Sequence, residues 1–144
     1  MERQTFSTTI NASRERVWEI LWGNYSAWNA HSSERLRLES DFKRGSKLKY
    51  ISNTNNGVVA TIEEIIPNEY ISLRDLGDIK DGEEIVYIMR TDDIDLQNFK
   101  LTTVDGATLL EVDMVNVTNP SIQAKLKQYW DTALQNVKNL SEKE

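Results

Sequence analysis

Between Val115 and Pro120 the hydrophobic pattern changes from the period of strands to that of a helix, and this change constrains the fold more than any other feature. From Arg35 to Val115 apolar residues recur at alternate positions, which is typical of strands with one buried face. From Pro120 to Ser141 they recur at helical spacing along a single stripe. A helix of that length would be roughly 33 Å long, enough to cross a small domain. The pattern therefore predicts a sheet whose apolar face wraps around one long C-terminal helix.

The N-terminal segment predicts one strand and two short helices. Phe6 and Ile10 lie on one face of an alternating stretch, which indicates a strand. Ser13 is a suitable N-cap for the helix that follows it, and Gly23 is expected to end that helix in a left-handed conformation. Tyr25–Trp28 can then form a second, shorter helix.

Together these patterns predict a single α+β domain over residues 1–144. Its bent antiparallel sheet should have about six to seven strands, with the two short helices after the first strand and the long helix at the C-terminus. Gly57, Gly82 and Gly106 are expected in turns at positive φ. The parity of the strands assigns the following residues to the concave face of the sheet: Leu38, Tyr50, Ala60, Ile62, Ile71, Leu73, Phe99, Leu101 and Val112.

Composition excludes several classes of function. The chain has no cysteine and one histidine, so a thiolate or histidine-based metal site cannot be assembled within it. Its net charge of −6 disfavours nucleic acid and anionic membrane surfaces as partners. We expect no cofactor and no bound metal. The N-terminus opens on charged residues and lacks the apolar core of a secretory signal, so we expect a cytoplasmic protein.

Few side chains suggest chemistry. His31 is expected to be a solvated loop residue, because nothing in the sequence supplies the carboxylate and oxyanion hole of a catalytic triad. The acidic stretches Asp78–Glu84 and Asp92–Asp95 lack the ligand spacing of a calcium loop and are expected to be solvated. The alternation of side chains along the predicted strand places Arg74 on the outer face of the sheet, whereas Asp75 could point inward at the mouth of a cavity.

Several segments, in this order and spacing, resemble the helix-grip superfamily of START-like and plant-allergen-like domains (SRPBCC). The resemblance is narrower to the branch named after the C-terminal domain of the Hsp90 ATPase activator, often described as polyketide-cyclase-like. It covers almost the whole chain. The segments are Ile10–Trp18, Tyr25–Trp28, Lys43–Leu48, Val59–Ser72, Gly77–Glu83, Gly106–Val112 and Trp130–Lys138.

The resemblance implies a container with a hydrophobic cavity between the sheet and the long helix. Three functions stay open. We favour the binding of a small lipophilic molecule. The alternatives are a cyclase-like or hydrolase-like reaction in the same cavity, for which no catalytic residue is identified, and interaction with a protein partner. A chaperone partner is not expected, because a co-chaperone of this family would resemble a two-domain protein. The predicted ligand-binding residues, which could alternatively be ordinary core, are Trp28, Tyr50, Ala60, Ile62, Ile71, Leu73, Phe99, Leu101, Leu126, Trp130 and Leu134.

Overall fold

The computed structural model describes residues 3–29, 37–86, 96–115 and 120–143. None of the helices in these ranges combines the length and the apolar character that a membrane span requires. In chain order the elements are β1 (Arg3–Ile10), α1 (Arg14–Gly23), α2 (Tyr25–Trp28), β2 (Arg37–Glu39), β3 (Lys47–Ile51), β4 (Gly57–Ile66), β5 (Tyr70–Lys80), β6 (Glu83–Val86), β7 (Leu96–Val104), β8 (Ala107–Val115) and α3 (Pro120–Glu142).

All paired strands are antiparallel, in the order β1-β8-β7-β5-β4-β3-β2, and β6 pairs with β5 beside this path. With the short helices after β1 and the long helix at the C-terminus, this confirms the predicted α+β helix-grip fold. The described residues form eight strands, one more than the upper number predicted. The difference is β6, because four residues after the turn at Asp81-Gly82 are too few to show an alternating pattern.

The strand register follows the predicted parity. Most of the predicted concave face is buried, with Ile62, Ile71 and Phe99 no more than 1% exposed, whereas Leu38 and Tyr50 are partly exposed. Val59 alternates with Val58 and Ala60 and therefore lies on the opposite face, where it packs with Ile51 and Ile79 in a small second cluster; beside it a bulge leaves Leu76 of β5 without a partner in the strand ladder. The main core therefore lies between the concave face and the helices.

The C-terminal half of α3 is held firmly against the start of the chain. Lys138 Nζ donates a hydrogen bond to the carbonyl of Thr9 at 2.8 Å, and the Asn11 backbone N–H donates to Glu142 at 2.9 Å. Val137, which precedes Lys138 on the helix, is fully buried. The end of α3 is thus fixed to β1 and to the turn before α1.

Local signals at the first helix are confirmed in part. Ser13 caps α1, since its Oγ accepts a hydrogen bond from the Arg16 N–H at 3.2 Å. Gly23 was wrongly expected at positive φ: it is the last residue of α1, and Asn24 follows it with φ of −133°. Because α2 begins at once with Tyr25, no left-handed residue is needed there.

The turn glycines divide into two kinds. Gly82 and Gly106 have φ of 83° and 81°, and the Asp residue before each also has positive φ, as two-residue hairpin loops require. The expectation for Gly57 was wrong: it lies at the start of β4 without positive φ. A Cβ there would lie 1.7 Å from the carbonyl oxygen of Tyr50, so glycine is needed for close strand approach.

Candidate ligand cavity between the sheet and the C-terminal helix

A cavity of about 280 Å³, partly open to solvent, lies between the sheet and the N-terminal half of α3. Most of its lining is aromatic or aliphatic, and Gln97 and Lys125 are polar exceptions. The lining residues are Trp22, Tyr25, Trp28, Tyr50, Val58, Gln97, Phe99, Met114, Ile122, Lys125, Leu126, Tyr129 and Trp130. The site therefore has an apolar interior with few polar groups, the usual character of a small-molecule pocket.

A second chamber of about 250 Å³ adjoins the first along the sheet. Tyr50, Val58 and Leu126 belong to both walls, so the two chambers are neighbouring parts of one space. Asp75 lines the second chamber, and its charge is close enough to help raise the pKa of Tyr50. Asp75 thus lines the cavity, the inward alternative that strand parity allowed, and the residue is exposed.

A chain of ring contacts forms the inner wall of the cavity. The Tyr25 ring lies 5.1 Å from Tyr50 and 4.8 Å from Trp28. Trp28 stacks on Trp130 with a centroid separation of 6.1 Å, and Trp130 meets Phe99 edge-on at 5.7 Å. Ring pairs at these separations attract each other beyond their simple burial, so the wall is fixed by its own contacts.

Tyrosine hydroxyls form the polar part of this wall. Tyr25 makes a hydrogen bond with Tyr129, whose hydroxyl in turn donates to Asn29 Oδ1 at 2.8 Å. Burial raises the pKa of both Tyr25 and Tyr50 well above the ordinary value, and the neighbouring Tyr129 raises them further. These phenols therefore stay protonated and can donate hydrogen bonds, but they are poorly suited to act as bases.

Three cavity tryptophans differ in how their indole N–H groups are satisfied. Trp28 Nε1–H donates to the carbonyl oxygen of Leu21 at 3.0 Å. The Nε1 atoms of Trp22 and Trp130 are buried and have no hydrogen-bond partner within the described ranges. Two buried donors near the cavity are thus left without an acceptor from the described part of the protein, and almost no surface of either Nε1 atom is open to the cavity.

The predicted site residues separate into two groups. Seven lie on the cavity walls: Trp28, Tyr50, Ala60, Leu73, Phe99, Leu126 and Trp130. The other four, Ile62, Ile71, Leu101 and Leu134, belong to the packed core and do not line either chamber. Parity identifies the concave face, but it does not tell which part of that face lies opposite the open half of α3.

Several lining residues were missed in the sequence. Val58 shares the alternation of Ala60, and Met114 continues the alternating stretch of β8, so both carried a usable signal. Tyr129 is adjacent to Trp130 on the same helical stripe. Gln97 and Lys125 gave no signal, because isolated polar residues on a strand and a helix are ordinarily solvated.

The remaining candidates for chemistry lie elsewhere. Within the described ranges no three acidic or histidine side chains are grouped closely enough to hold a metal ion. Glu84, in the first acidic stretch, pairs with Lys47 at 2.7 Å and Lys49 at 3.0 Å, and hydrogen bonds from these lysines lower its pKa. His31 and the acidic stretch Asp92–Asp95 lie outside the described residues.

The architecture and its interior cavity define a helix-grip protein. A family model described as Activator of Hsp90 ATPase homolog 1-like protein matches residues 11–142, and the chain belongs to this family. The expected narrower resemblance is thereby confirmed. No curated protein matches the sequence.

Solved structures share the fold across nearly the whole chain. The Aha1 dimer from Colwellia psychrerythraea has a TM-score of 0.75 at 19% identity, over 99% of this chain and 97% of that one. Protein CV1439 from Chromobacterium violaceum has a TM-score of 0.70 at 16% identity, with both chains fully covered. CalU16 from Micromonospora echinospora has a TM-score of 0.65 at 13% identity, over 94% of this chain and 71% of that one. Likeness at these identities establishes a common fold and nothing further.

Proposed function

We propose that this protein binds a small lipophilic molecule in the cavity between its sheet and α3, and that it does so in the cytoplasm. One observation carries the proposal: about 280 Å³ beside the core is left unfilled, although large aromatic side chains surround it. Protein interiors ordinarily leave few voids larger than a water molecule. An open space of this size with apolar walls supports a role in holding a ligand.

The energetics favour an apolar ligand. Transfer of apolar surface out of water stabilises a complex by roughly 25 cal/mol per Å² before the costs of association. The volume lies near the lower end of ordinary ligand sites, which span about 300–1,000 Å³. We therefore expect a compact molecule held in the first chamber, with room for a substituent in the second.

An enzyme is the second candidate, because the family resemblance also covers cyclase-like proteins. The wall chemistry gives it less support. Tyr25 and Tyr50 have raised pKa values and resist acting as bases. Asp75 is an exposed residue that lines the second chamber, outside the aromatic wall of the first. Interaction with a chaperone or another protein rests on family membership alone.

Native mass spectrometry tests ligand binding directly. The protein is isolated from its own organism under non-denaturing conditions, together with two tryptophan variants of α3. Leu126→Trp places an indole where both chambers meet, whereas Gln128→Trp adds the same group on the exposed side of the helix. We expect a bound small molecule on the wild type and on Gln128→Trp, and its loss from Leu126→Trp. A wild type without bound mass, or equal retention by both variants, would contradict the proposal.

A further inference from the structure

Gln97 places a polar side chain on the apolar concave face of the sheet. Its cross-strand partners are Leu73 on β5 and Met114 on β8, and both of these line the second chamber. Phe99, two positions further along β7, faces the same side and is 1% exposed in the core. Gln97 is itself partly exposed and lines both chambers, so its side chain faces open space and is not sealed like that of Phe99.

Gln97 lies where the two chambers meet. It lines both of them, as Val58 and Leu126 do. The charged lining residues are each confined to one chamber, Lys125 to the first and Asp75 to the second. Of the described residues, those common to both chambers therefore carry no charge, and Gln97 supplies an amide at the junction.

The side-chain amide of Gln97 makes no hydrogen bond within the described ranges. The hydroxyls of Tyr25 and Tyr129 differ in this respect, because they are engaged with each other and with Asn29. The amide therefore offers two N–H donors and one carbonyl acceptor to a molecule at the junction of the chambers. In the open cavity, solvent can supply these hydrogen bonds.

A ligand that spans the junction displaces water from this amide. A pure hydrocarbon would leave the donors and the acceptor unpaired in an apolar site, which costs free energy. A polar group in the middle of the ligand would restore the lost hydrogen bonds. That group should be uncharged, because the described residues of the shared wall give an ion no opposite charge.

We propose that the ligand is an uncharged molecule with an apolar part in each chamber and, between these parts, a polar group that forms a hydrogen bond with the Gln97 side-chain amide. The inference rests on the proposed function and specifies the ligand class of that site. At the ordinary interior packing density of about 0.74, chambers of about 280 and 250 Å³ each hold roughly 200 Å³ of molecular volume. Each apolar part can therefore be as large as a ring.

Benzanilide and bibenzyl form a matched pair of probes, since each has two phenyl rings, joined by an amide in the first and by two methylene groups in the second. Their affinities are measured by displacement of N-phenyl-1-naphthylamine from wild type, Gln97→Met and Gln128→Met, a control on the exposed side of α3. The ratio of the benzanilide affinity to the bibenzyl affinity is compared between proteins, because it cancels general changes in the cavity. Gln97→Met should lower this ratio at least about tenfold, since the amide loses its partner, whereas Gln128→Met should leave it unchanged.

The outcomes separate this inference from the proposed function. If both probes bind and the ratio is the same in Gln97→Met as in wild type, the role of Gln97 is wrong while the cavity still binds ligands. If wild type binds neither probe, the proposed function fails for this class of molecule and the inference fails with it. Wild type also gives a test that needs no variant: its affinity ratio should exceed the ratio of the alkane–water partition coefficients of the two probes at least about tenfold, and equal ratios would contradict the inference.

Discussion

The two halves of α3 face the same sheet in different ways. In the C-terminal half, Ala133 and Val137 are fully buried against the core. In the N-terminal half, Tyr129 is partly buried and Ile122 is 47% exposed, although both line the cavity. Trp130 lies at the boundary, buried among other rings but bordering the open space.

The difference follows from side-chain size and from tethering. Small residues such as Ala133 and Val137 let the helix approach β1 and α1 closely, and a hydrogen bond from Lys138 to β1 holds it there. Tyr129 and Trp130 are larger, and the open space of the cavity lies beside them. One helix can thus seal the core with one half and form the wall of a cavity with the other, and mutations should separate these roles.

Paired leucine truncations on α3 should give the largest contrast. Leu134 is packed in the core, whereas Leu126 is partly buried and borders both chambers. We expect Leu134→Ala to lower the free energy of unfolding by about 3 kcal/mol and Leu126→Ala by about 1 kcal/mol, because the second change extends an existing opening. Urea denaturation of both variants measures the difference. Equal losses would show that the two halves pack alike.

The next largest effect should be a loss of stability at alkaline pH, caused by the buried tyrosines of the cavity wall. Burial raises the pKa of Tyr50 far above that of an unfolded tyrosine, near 10. Above about pH 10 the unfolded chain loses a proton that the folded protein keeps, so stability falls as pH rises; below pH 10 this group contributes no pH dependence. Each such tyrosine can add up to about 1.4 kcal/mol per pH unit.

Replacement of Tyr50 by phenylalanine should remove the part of this loss of stability that the Tyr50 phenol causes. Thermal or urea unfolding of wild type and Tyr50→Phe is compared from pH 8 to pH 11, with the pH 8 values as the internal reference. The difference between the two proteins should be constant up to about pH 10 and then shift in favour of the variant. Parallel curves throughout would mean that Tyr50 ionises as readily in the folded state as in the unfolded one.

A smaller effect should come from the N-cap of α1, a helix joined to the C-terminal half of α3 by a hydrogen bond from Arg16 to the Leu140 carbonyl. Ser13→Ala removes the acceptor for the Arg16 N–H and should cost about 1 kcal/mol of stability. Ser13→Asp keeps an acceptor at the same position and should recover most of that loss. Ligand-probe affinity should stay unchanged in both variants, and a weakened affinity would show that the two halves are coupled.

The smallest effect should come from the surface ion pairs of Glu84. Glu84→Gln removes the ion pairs with Lys47 and Lys49, which are partly solvated and should be worth less than about 0.5 kcal/mol. The fold lowers the pKa of Glu84. The stability that these ion pairs contribute is therefore present at pH values above the pKa of Glu84 in the unfolded chain, and it is lost as the pH falls through the lowered pKa of the folded protein. Unfolding at low and high salt should show the loss only at low salt. A larger, salt-independent loss would point to a structural role instead.

Local patterns in the sequence predicted the fold better than the site. Alternation fixed which face of each strand is buried, because a shift of one residue would turn apolar side chains outward. It could not tell Leu73, on the cavity wall, from Ile71, in the packed core, because both face the same side. Their distinction depends on which half of α3 lies opposite each of them. That is set by the sizes of residues distant in the sequence, such as Trp130 and Ala133.

The N-terminal half of α3 forms one wall of an open apolar cavity. Titration with N-phenyl-1-naphthylamine, an uncharged probe whose fluorescence rises in apolar surroundings, tests it most directly on wild type, Leu126→Trp and Gln128→Trp. We expect saturable binding of one probe per chain to the wild type and to Gln128→Trp, and at least about a tenfold weaker affinity in a folded Leu126→Trp. No saturable binding by the wild type, or equal binding by all three proteins, would contradict the account.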